Sequence, residues 1–180
     1  AIISALDASV ANFGPQTAQA ALLEVECMPI LASPLNGVGD RKSDDPESDE
    51  APIRELDNAD LVHGNMVVMT NNGGLSGVGM AQVAKLSGSA ALLVVNIDED
   101  RPDDIYRLTV LEGEDAEEVD IPVVMISLNS ANVLTTATVT SDMDVSQIVN
   151  HGMPERVRLY SGGDRPFFED VEPANPTLYL

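Results

Sequence analysis

Residues 64–96, GNMVVMTNNGGLSGVGMAQVAKLSGSAALLVVN, constrain this chain most: an apolar run, a glycine-rich turn, a run of helix formers and a second apolar run follow in direct succession. Met66-Val67-Val68-Met69 and Ala91-Leu92-Leu93-Val94-Val95 are each short enough for a buried strand. Between them, residues 78–86 are mostly good helix formers, and Gly88 supplies the stop. Two adjacent strands joined through a helix run parallel, connected by a right-handed crossover. The expected fold class is therefore α/β.

At 180 residues and 44% hydrophobic composition, the chain can bury the core of one domain. No segment approaches the roughly 18 consecutive apolar residues of a membrane-spanning helix. Ala1 opens no basic-then-apolar leader, and the missing methionine points to a processed chain or a fragment. A formal charge of −21 repels nucleic acid and anionic membranes and leaves no basic face for counterion release, so no nucleic-acid partner is expected. The same acidity is also what solubility in a crowded or ionic compartment requires. Cys27 is the single cysteine, so no disulfide forms within this chain. Its simplest reading is a small buried hydrophobe. A low cysteine count fits either a reducing compartment or a lumen where the fold needs no staple.

The first thirty or so residues carry apolar patches at 1–6, 20–25 and 28–32 and predict two or three short strands. Residues 36–60 hold Gly, Pro, Ser and the acids Asp44, Asp45, Glu47, Asp49 and Glu50, the composition of a surface loop. A second acidic loop over 97–120 is interrupted by the apolar stretch 105–111, which predicts a short strand or helix over an exposed face. Residues 121–127 read as a third buried strand, with Pro122 at its start where a ladder donor is spared. Residues 130–134 can begin a short helix, and 156–160 alternate as a half-exposed strand.

Gly73, Gly77 and Gly79 have the spacing G-x-x-x-G-x-G, similar to the short-chain dehydrogenase fingerprint that holds pyrophosphate at a helix N-terminus. Such enzymes also carry a downstream Asn-Asn-Ala-Gly stretch and a Tyr-x-x-x-Lys pair. Here the tyrosines are Tyr106, Tyr160 and Tyr179, and no lysine follows Lys85. Asn96, Asp98 and Asp100 alternate as a calcium loop would begin, yet Arg101 stands at the turn-glycine position and Arg107 at the bidentate glutamate position. His63 and His151 are the two imidazoles, neither is near a G-x-S-x-G elbow, and no catalytic residue, cofactor or metal ligand is assigned.

Four segments in order, Ala11-Asn12-Phe13-Gly14, residues 64–96, 121–127 and 155–160, together resemble the protease-associated domain. This module is inserted in some subtilases and zinc aminopeptidases and forms the luminal part of vacuolar sorting receptors. The family's middle motif usually reads Arg-Gly-x-Cys-x-Phe-x-x-Lys, followed by Ala and then Ala-Gly-Ala. Aligned on Gly88, this chain has Asn72 for the Arg, keeps the Gly as Gly73, and has Leu75 for the Cys, Gly77 for the Phe and Met80 for the Lys. It keeps Ala84 and has Ser87-Gly88-Ser89 for Ala-Gly-Ala. In sorting receptors the Arg-Gly turn helps hold cargo, and an amide at Asn72 lacks the bidentate donor of a guanidinium. Leu75 likewise removes a usual half-disulfide.

The resemblance implies an open β-barrel or mixed sheet with short flanking helices over residues 1–160, bearing the acidic loops 36–60 and 97–120. Residues 161–180 are expected as an extended C-terminal arm. The implied function is a non-catalytic interaction or assembly module, luminal or extracellular, with a protein partner or larger complex. Its candidate partner-binding residues are Asn72, Gly73, Gly74 and Leu75 at the turn, with Phe167, Phe168 and Tyr179 near the end. Two alternatives stay open: a nucleotide-binding oxidoreductase-like fragment using the turn from Gly73 to Gly79, and an acidic calcium-responsive module.

Overall fold

A computed structural model of the chain describes residues 5–15, 25–39, 51–72, 74–134, 157–160 and 177–179. Its elements, in order, are β1 (Ala5–Asp7), β2 (Ser9–Val10), β3 (Val25–Cys27), β4 (Pro29–Leu31), α1 (Ala59–Val62), β5 (Met66–Thr70) and α2 (Gly77–Leu86). They continue with β6 (Ala91–Val95), β7 (Val123–Ile126), α3 (Leu128–Leu134), β8 (Val157–Tyr160) and β9 (Thr177–Tyr179). The larger sheet has the order β2-β7-β6-β5-β4, with β4 to β7 parallel and β2 antiparallel to β7. The fold is α/β, built on a mixed five-stranded sheet with a few short helices.

The parallel strands are apolar along their length because both of their faces are covered. Val67, Met69, Leu92, Val94, Val123 and Met125 point to one face, where α2 adds Val78, Met80, Ala81, Val83 and Ala84. Met66, Val68, Leu93, Val95, Val124 and Ile126 point to the other, where they join Leu31, Leu128 and Ala131. Cys27 lies buried in this second cluster, in accord with its reading as a small hydrophobe.

A smaller sheet has the order β1-β9-β8-β3. Its edge strands β1 and β3 pass, through Ala8 and Met28, into β2 and β4, the edge strands of the larger sheet. Both borders of one sheet are thereby continued into the other, the connectivity expected of an open barrel. The first thirty residues thus supply four short strands, one more than the apolar patches predict, because each pair is split where the chain changes sheet.

Three local features show how the sequence secures this arrangement. Ala11 donates its N–H to Val123 O (3.0 Å), Phe13 enters the α2 face, and Gly14, at φ +70°, sits so close to the Ile121 carbonyl that a Cβ would lie 2.9 Å from it. Asn58 donates from Nδ2 to Leu31 O (2.8 Å) and accepts from Ser33 N (3.0 Å), so one side-chain amide completes the outer edge of β4. Of the loop expected over 36–60, residues 40–50 lie outside the described ones. Residues 51–62 carry α1 and bury Leu56 and Val62, two apolar anchors spaced too far apart to register as a periodic element.

The stretch 105–111 is neither helix nor strand. Asn12 N donates to Leu108 O (2.9 Å) and Asn12 Oδ1 accepts from Val110 N (3.2 Å), so a residue's backbone and side chain stand in for a neighbouring strand.

Ser87 and Ser89, at the two alanine positions of the family pattern, are buried and fully used. Ser87 Oγ accepts from Leu56 N (3.0 Å) and donates to Val83 O (2.8 Å). Ser89 Oγ accepts from Val67 N (3.1 Å) and donates toward Asn65 O and Ala91 O. Between them Gly88 adopts φ +72°, and a methyl group there would collide with the His63 imidazole. Gly88→Ala is expected to lower unfolding stability by about 1 kcal/mol, because of the left-handed backbone, while the exposed His63 ring can turn aside. Urea denaturation monitored by circular dichroism measures it, and an unchanged midpoint would refute the backbone conformation described.

Candidate functional site

The carboxyl ends of β5 and β6 are where apolar strands give way to polar side chains. Asn71 Nδ2 donates to Asn96 Oδ1 (3.1 Å) and to Tyr106 Oη (2.7 Å), while its Oδ1 accepts from Ile97 N (3.1 Å). Asn96 is buried and donates from Nδ2 to Asp104 O (3.1 Å). These two amides therefore fasten the loop after β6 to the turn after β5. Side-chain amides suit this work because each carries a donor and an acceptor at once.

The turn itself leads from Asn71 to the start of α2. Asn72 is exposed and accepts from Thr70 Oγ1 (3.3 Å); Gly73 lies outside the described residues, and Gly74 is exposed. Leu75 is half-buried between two glycines: its methyl carbons lie 3.2 Å and 3.1 Å from where a Cβ on Gly37 and Gly79 would stand. Ser76 caps α2, its Oγ accepting from Gly79 N (3.0 Å).

Two grooves flank this helix start and share Leu75 and Ser76. One, of about 260 Å³, is lined by Asn71, Met80, Tyr106, Leu108 and Leu111 among others. The other, of about 370 Å³, is lined by Ile53, Val78, Gln82, Glu114 and Asp115 among others. Segment 105–115 walls both. It is held by the Asn12 bonds, by Arg107 Nε donating to Val10 O (3.1 Å) and by Leu111 N donating to Glu114 Oε2 (2.8 Å). Tyr106 is 48% exposed and Leu111 56%, so this wall presents apolar groups to solvent.

The glycine spacing has a packing explanation. A Cβ on Gly77 would stand 3.3 Å from Leu108 Cβ and 3.4 Å from Phe13 Cζ, so the place of the family's phenylalanine is filled by Phe13 and Leu108 from elsewhere in the chain. Gly79 makes room for Leu75. Glu114 and Asp115 line the adjoining groove, and their negative charge makes an unfavourable field for a phosphate. In the segment read for calcium, Arg101 pairs with Asp98 (3.0 Å) and Asp104 (3.4 Å), and Asp98 Oδ1 accepts from the N–H groups of Asp100 and Arg101. Among the described residues no group of three or more His, Cys, Asp or Glu is arranged to hold a metal ion. His63 is exposed over Gly88, at the end of the strands opposite the turn, and His151 lies outside the described residues.

The structure brings Asn72, Gly74 and Leu75 together at one turn. Phe167 and Phe168 lie outside the described residues, and Tyr179 belongs to β9, whose backbone pairs with β1 and β8. Sequence reading missed Asn71, Ser76, Tyr106, Leu111, Glu114 and Asp115. The signal for the wall was the apolar interruption of an acidic loop. Nothing local in the sequence links that loop to a turn over thirty residues away.

A protein-family model described as PA domain matches residues 29–134. No curated protein matches the chain.

Asn71→Ala is expected to destabilise by about 1–3 kcal/mol, since it strands the Ile97 N–H and leaves the buried Asn96 Oδ1 with only the longer bond from Asp98 N (3.4 Å). Hydrogen exchange should show faster exchange at residues 97–106 and little change in β7; uniform acceleration would contradict a local fastening role. Ser76→Ala should cost about 1 kcal/mol through loss of the helix cap, measured by thermal unfolding, whereas Ser76→Asp should retain most of the stability.

Proposed function

Because the chain belongs to the protease-associated domain family, we propose that it is a non-catalytic recognition or assembly domain that meets a protein partner across the β5–α2 turn and its flanking grooves. PA domains commonly act as protein-interaction or substrate-recognition modules and are by themselves typically non-catalytic. The observation that carries this reading is the pair of grooves joined at Leu75 and Ser76, walled by a pinned loop with exposed apolar groups. They lie at the carboxyl ends of parallel strands, where open α/β sheets place their ligands.

Asn72, in place of the family's usual arginine, offers an amide to the partner, and the wall at Tyr106 and Leu111 supplies the apolar contact. Phe167 and Phe168 are candidates for a second contact. PA domains occur in secreted and luminal proteins, and a lumen is the compartment we propose for this one. Among the described residues no helix is long and apolar enough to cross a membrane. The charge of −21 favours a protein partner over nucleic acid.

A photo-crosslinking side chain introduced at Asn72, or in a second variant at Leu61 in α1 near the opposite strand ends, tests the assignment in the full chain expressed in its native source. The partner is expected to crosslink from position 72 and not from 61. Crosslinking from 61 alone would refute it.

A further inference from the structure

Resting on that reading, we infer that the occupant of the two grooves is an extended peptide segment in which a bulky apolar side chain stands beside a lysine or arginine. The two grooves differ in chemistry in a way that fits two different side chains. The smaller one is bounded by Leu75, Met80, Tyr106, Leu108 and Leu111, with Asn71, Thr109 and Arg107 also at its lining, so its apolar part suits a large apolar group and its one cation disfavours a basic one. Tyr106 is held in place by Asn71, so this aromatic wall is formed before anything binds.

The larger groove combines Ile53, Leu75 and Val78 with the acidic residues Glu114 and Asp115, and among the described residues no lysine or arginine lines it. An aliphatic stem ending in a cation matches that combination: the stem covers the apolar floor and the head meets the acids. Each acid already has a fixed place in its turn, Glu114 Oε2 accepting from Leu111 N (2.8 Å) and Asp115 Oδ1 from Glu117 N (2.9 Å). Each of these carboxylates has two oxygens, so the other can receive a ligand's cation. Residues 97–120 carry Arg101 and Arg107 as their basic side chains against eleven acids, so an acidic peptide would be repelled along the whole wall.

The test is a displayed random-peptide library selected on the full chain. Fluorescence anisotropy of a selected peptide, and of its analogue with the basic residue changed to glutamate, follows. Selected peptides are expected to pair an apolar residue with Lys or Arg, and the glutamate analogue to bind about tenfold more weakly. E114Q/D115N should abolish that preference, while E99Q/D100N, which removes equal charge outside the grooves, should leave it. Leu111→Ser should weaken both peptides by a similar factor.

Selected peptides without a basic residue, a preference that survives E114Q/D115N, an equal loss in E99Q/D100N, or unchanged binding in Leu111→Ser would each overturn the inference. So would failure to select any peptide. In every such case, crosslinking from position 72 decides separately whether the recognition reading stands.

Discussion

Strands β5, β6 and β7 are covered on both faces, and this constraint decides where every polar group can go. Their side chains fill two separate apolar clusters, so a hydroxyl or amide within them would be buried without a partner at a cost of about 1–3 kcal/mol. The buried polar residues among those described are Thr70, Ser87, Ser89, Asn96 and Ser127, and all stand at strand ends or in the turns between. Each is used: Thr70 bonds Asn72, the two serines around Gly88 tie α2 to its neighbours, Asn96 fastens the next loop, and Ser127 accepts from Ser130 N (3.1 Å) at the start of α3. Polar chemistry collects at the two ends of the strands because the sheet leaves it no other place.

The sequence made the centre of the fold legible and the site only in part, for a physical reason. Val67, Leu92 and Val124 announce strands by local composition, and the Val78–Leu86 stretch announces a helix by propensity, because burial on both faces leaves an uninterrupted apolar run. Asn71 and Asn12 announce nothing, since an asparagine in a turn is ordinary. Their importance arises from partners at Tyr106, Leu108 and Val110, brought near by the topology. The empty phenylalanine position at Gly77 is the clearest case. It reads as a lost signature in the sequence, while in space Phe13 and Leu108 occupy the volume, so the core keeps an aromatic ring contributed by another segment. Likewise the serines flanking Gly88 look like drift until their hydrogen bonds are counted.

The acidity of the chain is unevenly used. Around Asp98 and Asp104 it is offset by Arg101 and serves the shape of a turn. At Glu114 and Asp115 it faces a groove that holds apolar surface as well. The same kind of residue thus supports local geometry in both places, offset by a cation in the first and bordering a groove in the second, a distinction that net charge conceals.

The strand order also fixes a sequence of assembly. All five strands of the larger sheet fall between residues 9 and 126, whereas the smaller sheet needs β9, at 177–179, to fill the place between β1 and β8. Pairings such as Ala5 with Thr177 join nearly the whole length of the chain, and contacts so distant in sequence form slowly. During synthesis the parallel core and its flanking turn can be complete while β1 and β3 still hold unpaired edges. For that interval the growing protein would carry a finished parallel core on a half-closed barrel, with two exposed backbone edges open to any strand that reached them before its own.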